Sequence, residues 1–442
     1  MLELLCNELK LVLCIVAISL ILIIRDIIGV NVSDFVLTGI CALSMMTLKY
    51  EKMVYYIFFL FPIMCGAPGY IITIAYLLLV LKGPKLKSKQ IVPLIIVALL
   101  EVINESFNNI EGLYTGMLSF LSFTAIFFYF LDERESLFSV RKCLIYYGLG
   151  ATLTFIVIYS NMFIEYGLDA ILTGMLRSGA LGVADNDITK MQGHLAMNAN
   201  TIAYLSVSVV TIFYVMLSQN IKDIKNKWLF IVIIIVSLVA GLLSFSRTFV
   251  GVVFFFAILF IFLAKGKEKI KLIVILATLS IVVVVFCSDI LLNMYDTFLG
   301  RMEDSNMDTA GGRTILFQLY NKAWLGDISY IIFGAGVVSY WKTLHVYNAI
   351  HNGLQQIWVC LGIIGFLTYI VRISTYLYRC YIKKNVIIYL PFFATLLIDQ
   401  SIQFLNPYPL VLILLATLQL PKMTTKIGRS GFFLQTNIAS NN

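Results

Sequence analysis

A chain of 442 residues with 60% hydrophobic side chains, 13% charged ones and a mean hydropathy of +0.93 is not an ordinary soluble domain, in which about 25% of residues carry charge. The formal net charge of +8 does not argue for nucleic acid, because the bases fall in short clusters between apolar runs, the pattern that orients a membrane protein. The eight cysteines contain no C-x-x-C pair and lie mostly in or beside apolar runs, which leaves disulfide frameworks and thiolate metal sites without support and reads them as small fillers of helix contacts.

Apolar runs of roughly 15 to 22 residues recur along the chain, a length that crosses a hydrocarbon core of about 30 Å as helix. In chain order they fall at 9–24, 33–48, 53–65, 69–81, 91–103, 113–131, 143–160, 201–217, 228–243, 249–264, 272–292, 357–377, 386–398 and 410–420. The first reads as a retained helix and not a signal peptide: only Lys10 precedes it, no small-residue cleavage site follows, and many further spans do. Several runs are short, so the expectation is an all-α polytopic integral membrane protein of about 12–14 transmembrane helices.

With the N-terminus in the cytoplasm, 23 of the 32 Lys and Arg lie inside. Eight lie outside (Arg25, Arg177, Lys190, Arg247, Arg301, Arg313, Lys322 and Lys342), and Arg372 falls within a span. A bias of about three to one fixes the orientation through the insertion rule. It places both termini in the cytoplasm and the long polar segment 292–355 outside, together with the stretch 161–200 and the turn at 244–247. All three histidines, His194, His345 and His351, share that outer side. Three regions follow: N-terminal helices and an outer loop at 1–197, a core at 198–420 that includes the loop 292–355, and a cytoplasmic tail at 421–442.

Membrane helices need no polar insert as long as 292–355 to stay folded, so this loop is the first place to look for function. Arg247 stands between two strongly apolar runs, where a mid-bilayer arginine would cost about 2.5–3.5 kcal/mol, and the topology brings it to the interface. A lone arginine there anchors a helix end by snorkelling. Arg301 and Arg313 share its side although the insertion bias runs against bases there, and guanidinium forks bind phosphates bidentately, so three of them suggest a pyrophosphate.

Gly311-Gly312-Arg313 reads as a turn into an amphipathic helix with Ile315, Leu319 and Ala323 at helical spacing, whose free N–H groups would face an anion beside Arg313. Gly334-Ala335-Gly336 is a bend before it is a phosphate cradle. His351-Asn352 heads the span at 357–377, where a histidine beside a cationic loop is a candidate general base. Zinc is disfavoured, since His345 and His351 would point about 120° apart on one helix. Glu303, Asp304 and Asp308 lack calcium-loop spacing and read as a solvated face. Asp399, Gln400, Gln403 and Asn406, with Glu101 and Glu105, form polar span ends that rank below the arginines.

Taken in order, Asn198-Ala199-Asn200, Ser246-Arg247-Thr248, Arg301, Gly312-Arg313 with Trp324, Gly334-Ala335-Gly336, His351-Asn352-Gly353-Leu354-Gln355 and Leu361-Gly362-Ile363-Ile364-Gly365 resemble the O-antigen ligase and O-antigen polymerase superfamily of bacterial surface-glycan assembly. The asparagine pair here lacks the proline often found between its members. The resemblance implies a metal-independent, cofactor-free glycosyltransferase of the bacterial cytoplasmic membrane with C-type helical architecture and an undecaprenyl-diphosphate-linked glycan donor. By similarity, Arg247 and Arg313 hold the donor diphosphate, His351 acts on the acceptor hydroxyl, and Arg301, Asn200, Asn352 and Trp324 contact substrate. The implied partners are a lipid-linked donor and acceptor, membrane lipid and a chain-length regulator, with no nucleic acid. Polymerase is the favoured activity, because polymerases are sequence-diverse and the N-terminal part carries no diagnostic motif. Ligase is the alternative, and a lipid-linked oligosaccharide flippase stands for a different class. Transporters usually show paired repeats and interrupted helices with charge near mid-membrane, whereas the special residues here cluster at one face.

Overall fold

The computed structural model describes residues 2–66, 69–83, 85, 87–108, 120–121, 124–125, 127–128, 138–172, 195–218, 227–263, 292, 295–296, 313–337, 340–346, 350 and 352–399, less 382–389. Arg301, His194, His351 and the acidic trio at 303–308 lie outside the described residues, as do nearly all of the spans expected at 113–131 and 272–292, the span at 410–420 and the tail. The described elements are α1 (Leu2–Leu22, continued by one π-turn, Ile23–Ile27), α2 (Asp34–Thr47), α3 (Tyr50–Met64), α4 (Gly69–Lys82), α5 (Ser88–Asn108), α6 (Val140–Leu172), α7 (Ala199–Ser218), α8 (Lys227–Leu243), α9 (Arg247–Leu263), α10 (Arg313–Leu325), α11 (Ile328–Phe333), α12 (Tyr340–Thr343), α13 (Gly353–Tyr381) and α14 (Leu390–Asp399). No strand occurs among them. Asn7–Ile27, Val140–Leu172, Ala199–Leu217 and Gly353–Thr375 are each long and apolar enough to cross a membrane, and shorter apolar helices accompany them. The protein is an all-α polytopic membrane protein.

Helix α3 is buried on every side from Lys52 to Met64, which makes it the centre of the N-terminal half. α6 packs directly on it: a Cβ on Gly150 would sit 1.9 Å from the Phe59 carbonyl oxygen. Small residues allow this backbone approach, the usual means by which helices associate where lipid removes the hydrophobic drive. Gly150→Ala should destabilise the protein by about 1–3 kcal/mol through overpacking, seen as a lower thermal midpoint of detergent-solubilised protein.

Charged residues mark the two ends of the bundle. At one, Lys52 and Lys142 both pair with Glu8, the latter at 3.5 Å. There too Lys82 Nζ donates to the carbonyls of Met45, Met46 and Leu48 at 3.1, 2.6 and 3.2 Å, closing the C-terminus of α2 with positive charge. At the other, Arg25 is 2% exposed and pairs with Asp26 at 3.0 Å and Asp34 at 3.2 Å. Asp26 Oδ1 also accepts the Leu195 N–H at 2.8 Å, which ties the approach to α7 onto α1. Arg25, expected only to lie on the outer side, is enclosed by Asp26, its neighbour in sequence, and by Asp34, which the chain reversal brings back.

Two further differences from the expected spans come from glycines. α6 does not stop at 160 but runs on to Leu172, bending where Gly167 adopts φ 78°. α13 is broken at Gly362, with φ 60°.

Candidate functional site

The corner between α8 and α9 carries Arg247 as the first residue of α9. Three neighbours build it. Ser244 Oγ donates to the Gly241 carbonyl at 2.6 Å and accepts from Ser246 N at 3.3 Å, while Ser246 Oγ accepts from Phe249 N at 3.4 Å as the cap of α9. Both serines are buried. Between them Phe245 is held at φ 48°, a left-handed conformation that costs a side-chain-bearing residue about 1–2 kcal/mol. Strain of this kind persists only where the surroundings over-determine it, and it gathers at functional sites. Nothing in the sequence marks it, since Phe245 reads as one more apolar residue.

Asn200 stands in the first turn of α7, and its backbone N–H goes to Asn198 Oδ1 at 2.8 Å, so Asn198 is the cap. α7, α8 and α9 pack on one another, and α14 packs on α7 and α9. Arg247 and Asn200 thus share one helical scaffold.

Arg313 opens α10, as the glycine turn suggested, and its side chain is not among the described ones. The face that α10 presents to the protein is not the expected one. Ile315 and Leu319 are 49% and 46% exposed, while Leu316, Tyr320, Ala323 and Trp324 pack inward. The helix is apolar on two sides, and the inward one is selected by specific partners: the Tyr320 ring lies 5.8 Å from that of Tyr340, and the Tyr320 hydroxyl donates to the Val346 carbonyl at 3.4 Å. Burial pushes both phenols up from their ordinary value. Trp324 is half-buried, and its indole N–H is sequestered without a hydrogen-bond acceptor. α11 follows, capped by Asp327, whose carboxylate accepts from Ser329 Oγ at 2.7 Å and Ser329 N at 2.8 Å and is held below the usual range by them.

The residues flanking His351 are fixed on both sides. Ile350 N donates to the Tyr340 hydroxyl at 3.2 Å. Asn352 caps α13, its Oδ1 accepting from Gln355 N at 2.9 Å and its carbonyl accepting from Gln356 N at 2.9 Å. Gln355 Nε2 then donates to the Phe317 carbonyl at 2.8 Å and to Asn321 Oδ1 at 3.2 Å, locking α13 to α10. Arg313, Trp324 and Asn352 accordingly belong to a second scaffold, α10 to α13. Among the described residues no three His, Cys, Asp or Glu side chains converge.

That second scaffold reaches into the bundle. Gly334 and Gly336, at φ 84° and 85°, let the chain run extended after α11. Ala335 N donates to the Val359 carbonyl and Gly336 N to the Cys360 carbonyl, each at 2.9 Å, in the break of α13. From α5, Asn104 Nδ2 donates to the Phe333 carbonyl at 3.0 Å, and the Glu101 carboxylate accepts Val337 N at 3.1 and 2.9 Å. Gly334-Ala335-Gly336 is therefore a bend, as read, but a buried one. Sequence reasoning ranked Glu101 below the arginines, and its only signal was an acid late in an apolar span.

Comparison with known proteins gives one family: residues 232–370 match the family model described as O-antigen ligase. The matched stretch runs from within α8 to within α13 and contains Arg247, Arg301, Arg313, Trp324, His351, Asn352 and the break at Gly362, whereas Asn200 and Glu101 lie outside it. No curated protein and no solved structure matches the chain.

Proposed function

We propose that this chain, which by its match over 232–370 belongs to the O-antigen polymerase and ligase superfamily, polymerises lipid-linked oligosaccharide repeat units on the outer face of the bacterial cytoplasmic membrane. The family supports O-antigen polymerase or ligase activity in general and suggests a glycosyl-transferring enzyme. The finer reading takes the end of the bundle that holds Arg247, Arg313 and Asn352 as the outer one, because the opposite end gathers Lys52, Lys82 and Lys142.

In this reading the donor is a glycan on undecaprenyl diphosphate and the leaving group is the lipid diphosphate. Negative charge grows on it as the anomeric bond breaks, and each well-aimed donor or cation is worth roughly 2.7–4 kcal/mol. Arg247, Arg313 and Arg301 supply the cations. His351 takes the proton from the attacking sugar hydroxyl, a contribution of about 100- to 10,000-fold. Trp324, Asn200 and Asn352 contact the glycan. Membrane lipid and a chain-length regulator complete the partners. The observation that carries the proposal is that one family match contains Arg247, Arg301, Arg313 and His351.

Polymerase is favoured over ligase because the match leaves residues 1–231 to an N-terminal part suited to recognising a particular repeat unit. A strain lacking the protein should display core plus one repeat on detergent gels. Bare core would make it a ligase. A flippase gains one point from the break of α13 beside buried Glu101, a feature at home in transporters. Purified protein in detergent separates the classes: consumption of lipid-linked repeat units is expected of the enzyme, and none of a carrier.

A further inference from the structure

Glu101 is 0% exposed on an apolar helix, an expensive place for an acid. Among its partners is backbone, the N–H of Val337. Gly362 lies about 14 Å along α13 from Gly353 at ~1.5 Å per residue, near the middle of the apolar span Gly353–Thr375. Non-helical chain at such a depth survives only where protein satisfies its polar groups. Here the break in α13 and the extended segment after α11 satisfy each other at Ala335 and Gly336, and α5 supplies the rest through Asn104 and Glu101. A carboxylate with both oxygens near one N–H is a stronger acceptor than a neutral group.

We propose that Glu101 is a positioning residue for the transfer reaction: by gripping Val337 N it seats the segment Gly334–Val337 in the break of α13 and thereby holds the chain at Ile350, the residue before His351 in the sequence. The path is short. Val337 leads into α12, whose Tyr340 hydroxyl accepts Ile350 N, next to His351. On its other side the segment is continuous with α11 and, through it, with α10, which begins at Arg313. Releasing Val337 therefore loosens α12, which holds Ile350 through Tyr340, and the α11–α10 pair that begins at Arg313, without touching the Arg313 side chain. Asn104 acts on the same segment at Phe333 and is expected to share the effect.

This inference rests on the glycosyltransferase reading for its kinetic test but has a structural test independent of it. Cys360 is a buried cysteine outside any disulfide among the described residues, and its carbonyl accepts the Gly336 N–H, so its thiol reports whether the segment is seated. In Glu101→Ala, modification of Cys360 by a small maleimide, followed by peptide mass spectrometry on membrane-inserted protein, should quicken by roughly tenfold or more, the scale of a lost charge-assisted hydrogen bond. With lipid-linked repeat units, kcat should fall by a similar factor while KM for the donor stays within about threefold. Glu101→Gln, which keeps an acceptor oxygen, should restore both readouts to within about threefold of wild type, with the pH profile unchanged.

Unchanged Cys360 labelling in Glu101→Ala would overturn the proposal even if the protein polymerises glycan. So would a Glu101→Gln variant as inactive as Glu101→Ala with a displaced pH profile, since that marks a proton-transfer role. A wild-type protein that consumes no repeat units would instead sink the functional reading while leaving the labelling result to judge the clamp.

Discussion

Arg247→Ala protein should reach the membrane at the wild-type level and form glycan roughly 100- to 1,000-fold more slowly, the loss found when one charge-stabilising group is removed from an acyl- or group-transfer site. The corner that presents Arg247 is held by Ser244, Ser246 and the left-handed Phe245, through hydrogen bonds that do not involve the guanidinium. Truncating Arg247 thus removes charge while these three hydrogen bonds remain. Arg247→Lys should recover only part of the rate, because an ammonium is a point charge and lacks the bidentate fork. His351→Ala should fall in the same range, about 100- to 10,000-fold, if it is the base that activates the acceptor. Membrane immunoblots fix the amount of protein, and detergent-gel ladders with initial rates of repeat-unit consumption fix the activity. A normal ladder from Arg247→Ala would remove this residue from the site, and normal ladders from both variants would end the glycosyltransferase assignment.

Much of this arrangement is legible in the sequence, because the relevant signals are local. The helices α2 to α5 and α7 to α9 stand where apolar runs are interrupted by lysine, glycine or serine, and their ends fall within a few residues of the expected ones, whereas α1 begins at Leu2 and not at Leu9. Arg247 opens a helix after a serine-flanked turn, and Arg313 opens one after two glycines, for the same reason: capping and turn chemistry are written in neighbouring residues.

Features that depend on distant partners were not legible. Arg25 and Asp26 are adjacent, but their burial comes from Asp34 and from Leu195, which arrives 169 residues after Asp26. The rotation of α10 could not be read either, since the apolar set Ile315 and Leu319 competes with Leu316, Tyr320 and Ala323, and only Tyr340 and Val346 decide which turns inward. Asn352 is a substrate contact only by resemblance to the family. That its Oδ1 also caps α13 could not be read, because the cap is fixed by where the helix begins. The break in α13 was hidden most completely. In Leu361-Gly362-Ile363-Ile364-Gly365 nothing distinguishes Gly362 from a glycine that stays helical.

Gly362→Ala is therefore a substitution in which a single methyl group should have a large structural effect. Two penalties add. At φ 60° an L side chain meets its own carbonyl, at a cost of about 1–2 kcal/mol. The new Cβ would also stand 2.3 Å from the Ile332 carbonyl oxygen, a backbone atom that cannot swing aside. Overpacking of this kind costs about 1–3 kcal/mol. The neighbouring chain has no room to yield, because a Cβ at Gly334 would in turn lie 2.2 Å from the Cys360 carbonyl oxygen, so the two backbones fit only as a pair of glycines. The combined loss of roughly 2–5 kcal/mol should lower the thermal midpoint in detergent and, by displacing the segment that leads to α12 and Ile350, weaken glycan synthesis in whatever protein remains folded. Gly251→Ala is the matched control: its Cβ meets nothing within 4 Å on α9, so replacing glycine there should leave the midpoint unchanged or raise it by about 0.5–1 kcal/mol of helix propensity. Equal midpoints for the two variants would mean that α13 runs unbroken through Gly362, and the re-entrant seat for Gly334–Val337 would not exist.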